Sequence, residues 1–98
     1  MARIELAPEV TEDFGRILDH LATCQIENTA QRMGEIIAAL DVLEMNPLIG
    51  RPVANGKREL VIGSRSRGYL ALNRYVPEMD LVFVLAVRSQ REAGSPEI

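Results

Sequence analysis

The sequence predicts an α+β domain, a helical hairpin packed on one face of a small antiparallel sheet, in the order β-α-α-β-β-β. Three observations carry that expectation. Arg3-Ile4-Glu5-Leu6 alternates polar and apolar residues, the mark of a strand with one buried face. Two longer stretches then repeat apolar residues at steps of three and four. Three apolar runs separated by glycine- and proline-bearing turns follow, over 58–62, 69–76 and 81–88.

The first helix is expected over Pro8–Thr23. Pro8 suits its first position, where a missing N–H costs nothing, and Glu9, Glu12 and Asp13 favour the positive end of the helix dipole. Val10, Phe14, Ile17, Leu18 and Leu21 trace its apolar face. The second helix starts at Asn28, a good N-cap, with Gln31 at the capping-box position. Its face reads Ala30, Met33, Ile37, Leu40 and Leu43–Glu44. Asn46-Pro47 ends it, because the residue before a proline is pushed out of the α region. The short link around Cys24–Glu27 makes the pair antiparallel. Gly63–Gly68 and Pro77-Glu78-Met79-Asp80 are turns, so the three later strands form a meander. Leu81–Val87 is apolar without alternation and is expected inside the sheet with both faces covered.

Composition narrows the function classes. The 98 residues make one domain, 1–98, with 94–98 as a loose end. An apolar fraction of 47% is that of a globular protein. Cys24 is the single cysteine, so no disulfide framework exists. The longest apolar run is too short to cross a bilayer and no signal pattern opens the chain, so a soluble cytoplasmic protein without membrane contact is expected. A net charge of −3 argues against a surface that grips nucleic acid everywhere. The charge is unevenly spread. Residues 51–74 carry Arg51, Lys57, Arg58, Arg65, Arg67 and Arg74 against the single acid Glu59, whereas residues 1–50 carry three arginines against nine acids. Two unlike surfaces, and two kinds of partner, are the natural reading.

His20 has no second ligand at metal spacing, and Cys24 has no basic neighbour to activate it, so both read as structural and no metal or cofactor is expected. The arginines remain. Arginine binds phosphate or carboxylate through two parallel bonds, which adds geometry to charge. Arg51 lies in a loop closed by Pro47 and Pro52, and Arg58 opens a strand. Arg65 and Arg67 sit at a hairpin tip, and Arg74, Arg88 and Arg91 lie on or after strands. The alternative for Arg88 and Arg91 is pairing with helix acids such as Asp13 or Asp19.

These residues carry a resemblance. Pro47-Leu48-Ile49-Gly50-Arg51 after a long helix, Arg58-Glu59-Leu60-Val61-Ile62-Gly63, Gly68-Tyr69 with a strand ending Asn73-Arg74-Tyr75, and a last strand running into Arg88-Ser89-Gln90-Arg91-Glu92 together resemble the RelE/ParE superfamily of toxins, often labelled plasmid stabilisation proteins. The resemblance covers nearly the whole chain. It implies a toxin neutralised by a co-expressed antitoxin that bears a ribbon-helix-helix or similar DNA-binding domain. Two activities occur in the superfamily: RelE-like cleavage of mRNA on the ribosome, and ParE-like poisoning of DNA gyrase.

The chain departs from the nuclease pattern at three places. Its one lysine is Lys57, Leu70 stands where that type has an arginine, and the tail after Glu92 contains no tyrosine. A metal-free nuclease needs side chains to activate the 2′-hydroxyl and to stabilise the developing charge. The ParE-like reading is therefore preferred, with no confident catalytic residue and no enzymatic activity expected. A RelE-like endoribonuclease or a non-toxic antitoxin-binding relic are the alternatives. Arg51, Arg65, Arg67, Arg74, Arg88, Arg91 and Glu92 are expected to face the target, and Arg58, Arg65, Arg67 and Arg74 the antitoxin.

Overall fold

Polar–apolar alternation stops at Ala7, and three-and-four spacing takes over at Pro8; the backbone changes from strand to helix at that point. The computed structural model describes residues 1–23, 29–63 and 68–89. Strand β1 (Arg3–Leu6) leads into helix α1 (Pro8–Thr23), and helix α2 (Thr29–Met45) stops where Asn46-Pro47 requires. Four strands follow: β2 (Arg51–Pro52), β3 (Arg58–Ile62), β4 (Tyr69–Val76) and β5 (Leu81–Ser89). The expected order is present, with the two-residue β2 added inside the segment read as a loop. The expected N-cap Asn28, the expected link Cys24–Glu27 and residues 64–67 of the expected 63–68 turn lie outside the described residues.

The sheet order is β1-β5-β4-β3-β2. Strands β3, β4 and β5 form the expected antiparallel meander, while β1 pairs parallel to β5 with Arg3 opposite Leu81. The helices cover one face. Val10, Ile17 and Leu21 of α1 and Ile36, Leu40 and Leu43 of α2 meet Ala71, Val82, Val84 and Val87 in the core. Three helical expectations are corrected: Leu18 is 42% and Ile37 51% exposed, and Ala30 is exposed as well. The buried face of α2 steps through 36, 40 and 43, and apolar residues surround that helix, so spacing alone selected the wrong one of two adjacent isoleucines.

Strand β5 does run inside the sheet, between β1 and β4, but only one of its faces lies under helices. Val82, Val84 and Val87 are fully buried, whereas Phe83, Leu85 and Ala86 are half-buried. Leu72 pairs with Ala86 and Asn73 with Val84, so Leu85 is an extra residue in a bulge. An apolar run therefore marked a central strand without marking two covered faces.

Asp13 has a use that its place in the first turns of α1 did not suggest. Strand β1 ends at Leu6, and the last backbone bond on that side runs from the Ala7 N–H to the Val84 oxygen, 2.9 Å. Beyond it, among the described residues, no strand flanks β5 on that side. There the buried Asp13 carboxylate substitutes for one, accepting the Val87 N–H at 2.9 Å through Oδ2 and Arg16 Nη1 at 3.0 Å through Oδ1.

Two further polar groups yield expected outcomes. Asn73 is fully buried; its Nδ2 donates to the Ala71 oxygen at 3.0 Å, but among the described residues Oδ1 has no partner. An orphaned buried acceptor costs about 1–3 kcal/mol. Asn73→Leu, close in shape, should therefore raise stability by up to about 1 kcal/mol, read as a higher urea midpoint at unchanged slope. An unchanged or lower midpoint would mean that the amide is needed as it stands. At the β4–β5 turn, Asp80 adopts a left-handed conformation and Tyr75 Oη donates to Asp80 Oδ1 at 2.7 Å. That bond, with some burial and the Asp80 charge, raises the Tyr75 pKa above its usual 10.0. A raised folded pKa makes this contribution complete below pH about 10, lost as the phenol ionises above it. Tyr75→Phe should lower stability slightly near neutrality, where the bond is fully made, and flatten stability against pH in that alkaline range.

Candidate partner-binding face

Strand register sorts the residues of interest onto two faces. On the face without helices, one cross-strand row runs Arg51, Glu59, Leu72, Ala86. A second runs Val61, Leu70, Arg88, and a third Arg74, Phe83, Glu5. The middle is an apolar strip: Leu70, Leu72, Phe83 and Ala86 are half-buried, and Val61 is 50% exposed. Arginines bracket the strip. Sheet geometry places the Cα atoms of Arg74 and Arg88 about 14 Å apart, and those of Arg51 and Arg88 about 16 Å apart.

Each described arginine of the candidate set, Arg51, Arg58, Arg74 and Arg88, has a distinct setting. Arg51 Nη2 bonds Glu59 Oε1 at 2.7 Å across β2–β3. Gly50 makes this crossing possible, since a Cβ there would meet the Glu59 carbonyl oxygen at 2.9 Å. Arg58 lies on the opposite face, level with Asn73, and its Nη1 donates to the carbonyls of Leu48 and Gly50 at 3.2 and 2.8 Å. It thereby ties the loop after α2 to the sheet. Arg74 Nη2 donates to the Asn55 carbonyl at the tip of the β2–β3 hairpin. Arg88 is exposed, and the sheet separates it from α1, so it pairs with neither Asp13 nor Asp19; Asp13 is already engaged. Arg65, Arg67, Arg91 and Glu92 lie outside the described residues, as does Cys24. His20 is exposed on α1. Among the described residues, no group of three or more His, Cys, Asp or Glu is arranged to hold a metal, and no helix is long and apolar enough to cross a membrane.

The described cations of this face, Arg51, Arg74 and Arg88, are thus spread around an apolar strip rather than converged on one point. The acid nearest to them, Glu59, is held by Arg51. Such a surface suits an extended or helical partner with apolar residues along its middle and acids at its flanks. Sequence reading found the arginines and missed the strip. The signal was there in the even-numbered residues of β4, but using it required knowing which face the helices take.

Comparison with known proteins supplies the family. The family model for the ParE toxin of the type II toxin–antitoxin system parDE matches residues 4–94. The chain is a member of the ParE toxin family. The ParE assignment agrees with the resemblance read from the sequence. In fold, this ParE-family chain is similar to a structure described as the chromosomal ParDE toxin–antitoxin system from P. aeruginosa. The TM-score is 0.74 at 19% identity, covering 91% of this chain and 96% of that one. A metal-bound toxin from Helicobacter pylori aligns at TM-score 0.46 and 11% identity over 94% of this chain and 98% of that one. No curated protein sequence matches the chain.

Proposed function

We propose that this ParE-type toxin acts on DNA gyrase and is neutralised by a cognate antitoxin whose terminal segment lies across the helix-free sheet face. The observation that carries the reading is the apolar strip of Leu70, Leu72, Phe83 and Ala86 set among Arg51, Arg74 and Arg88. A nuclease would need an acid–base pair and cations converging on one phosphate. A surface with separated cations and a half-buried apolar middle suits recognition instead. Neutralisation then follows from coverage: an antitoxin on this face hides the cations that a target would meet. The partner's DNA-binding part would be of the ribbon-helix-helix kind or similar, and the site of action cytoplasmic.

The test combines growth with biochemistry. Induced expression should arrest growth, the adjacent antitoxin should relieve it, and the purified protein should block supercoiling or trap cleaved DNA while ribosome-bound mRNA stays intact. Codon-specific mRNA cuts with supercoiling unaffected would transfer the protein to the RelE-like reading. Normal growth at high soluble expression would leave an antitoxin-binding relic.

The antitoxin contact has its own expected result. Screening lengths fall from about 10 Å at 0.1 M salt to about 3 Å at 1 M, so a basic rim meeting an acidic segment should associate more slowly as salt rises, with dissociation changed much less. Stopped-flow rates at several ionic strengths check this. An association rate indifferent to salt would remove Arg74 and its neighbours from the contact.

A further inference from the structure

The β2–β3 hairpin turns through Ala54–Gly56, and two consecutive residues there, Asn55 (φ 65°, ψ 33°) and Gly56 (φ 73°), are left-handed. Both are exposed. An Asn-Gly step suits this turn because neither residue resists positive φ. The same step also sets a side-chain amide beside the least hindered backbone nitrogen that a protein can offer. Arg74 reaches across from β4 to this tip. Its Nη2 donates to the Asn55 carbonyl, and a Cβ built on Gly56 would lie 3.9 Å from the same nitrogen. We propose that Asn55 is a site of spontaneous deamidation and that Arg74 restrains the reaction.

The chemistry needs only water. The Gly56 backbone nitrogen attacks Asn55 Cγ; the new C–N bond closes a five-membered imide as the Cγ–Nδ2 bond breaks. Ammonia leaves with the proton given up by the Gly56 nitrogen. Water then opens the imide at one of its two carbonyls, giving aspartate or isoaspartate. Ring closure requires rotation about the Asn55 ψ away from 33°, and that rotation swings the carbonyl that Arg74 holds. The hydrogen bond and the reaction therefore compete for one backbone group.

Two other described asparagines are internal controls. Asn46 precedes Pro47, whose nitrogen carries no proton to give up, and Asn73 is fully buried. The product would have a specific effect. A neutral amide becomes a carboxylate beside Arg74 and Lys57, and an isoaspartate link lengthens the backbone of the turn by one methylene. Either change draws Arg74 towards the hairpin tip and alters the rim of the apolar strip. The site itself is independent of the toxin reading, because its readout is a mass and not an activity.

The experiment is timed incubation of the full chain at mildly alkaline pH, followed by peptide mapping with mass and elution standards for aspartate and isoaspartate. Asn55 should convert before Asn46 and Asn73, with isoaspartate as a major product. Arg74→Ala and Arg74→Gln, each checked for folding by circular dichroism, should convert Asn55 severalfold faster, and the denatured wild-type chain at least as fast as either. If one variant fails to fold, the other provides the comparison, and the native-to-denatured ratio for the wild type is read without any variant. Asn55 persisting as long as Asn46 and Asn73 would overturn the site. Equal rates in the wild type and a folded Arg74 variant would overturn the restraint.

Discussion

Asp13→Ala is expected to destabilise the domain by about 2–3 kcal/mol, more than any change to an exposed charge. The carboxylate accepts a buried backbone N–H from Val87, 74 residues away in sequence, at the place where β1 has ended and no described strand flanks β5 on that side. Removing it leaves that N–H buried and unpaired, and hydrogen bonds to charged groups contribute about 1.5–3 kcal/mol. For a domain of this size the melting temperature should fall by about 10–20 °C. Two companion variants separate the causes. Asp13→Asn keeps an acceptor and should lose less. Arg16→Ala removes the other partner, whose side chain is 45% exposed, and should cost no more than about 1 kcal/mol. Equal losses for Asp13→Ala and Arg16→Ala would show that the ion pair, not the strand edge, is what Asp13 provides.

The second large effect is expected on growth arrest. Replacing both Arg88 and Arg91 by alanine should abolish toxicity while the melting temperature and antitoxin affinity stay near wild type. Arg88 projects from the helix-free face, and among the described residues no carboxylate pairs with it. Its loss should therefore change stability by no more than about 0.5 kcal/mol. A desolvated arginine at the centre of an interface is a frequent hot spot, with truncation costing about 2 kcal/mol or more, close to thirtyfold in affinity. Measuring arrest, melting and antitoxin binding separately distinguishes target contact from fold maintenance. Full toxicity of the folded double variant would exclude both residues from the target contact and turn attention to Arg51, Arg65 and Arg67.

Much of the architecture was legible because local chemistry and the global fold agree. Pro8 and Asn46-Pro47 mark helix boundaries, and glycine and proline separate the later strands. What escaped has a physical reason in each case. Ile36 and Ile37 are chemically identical neighbours, and only packing distinguishes them. Asp13 reads as an ordinary dipole-stabilising acid until β1 is known to stop at Leu6. Arg58 and Arg74 look equivalent as strand arginines, yet register gives them opposite faces. One ties down the loop after α2 and the other steadies a hairpin tip. Alternation along a strand sorts residues onto two faces, but long-range packing decides which of the two the helices cover. The candidate surface was therefore half visible: its charges could be counted, but the apolar strip between them could not be placed.

The parallel pairing of β1 with β5 has a consequence for how the molecule comes into being. The first strand to leave a ribosome is flanked in the sheet by the last described one, with Arg3 opposite Leu81. Until β5 is synthesised, β1 has no strand to pair with, and β4 lacks the neighbour that joins it to β1. Closing so long a loop delays the reward for ordering the chain, which slows folding relative to a domain built from local contacts. A nascent chain of this kind cannot assemble its central sheet piecemeal during translation. The helix-free face therefore matures only when nearly all of the described chain has emerged.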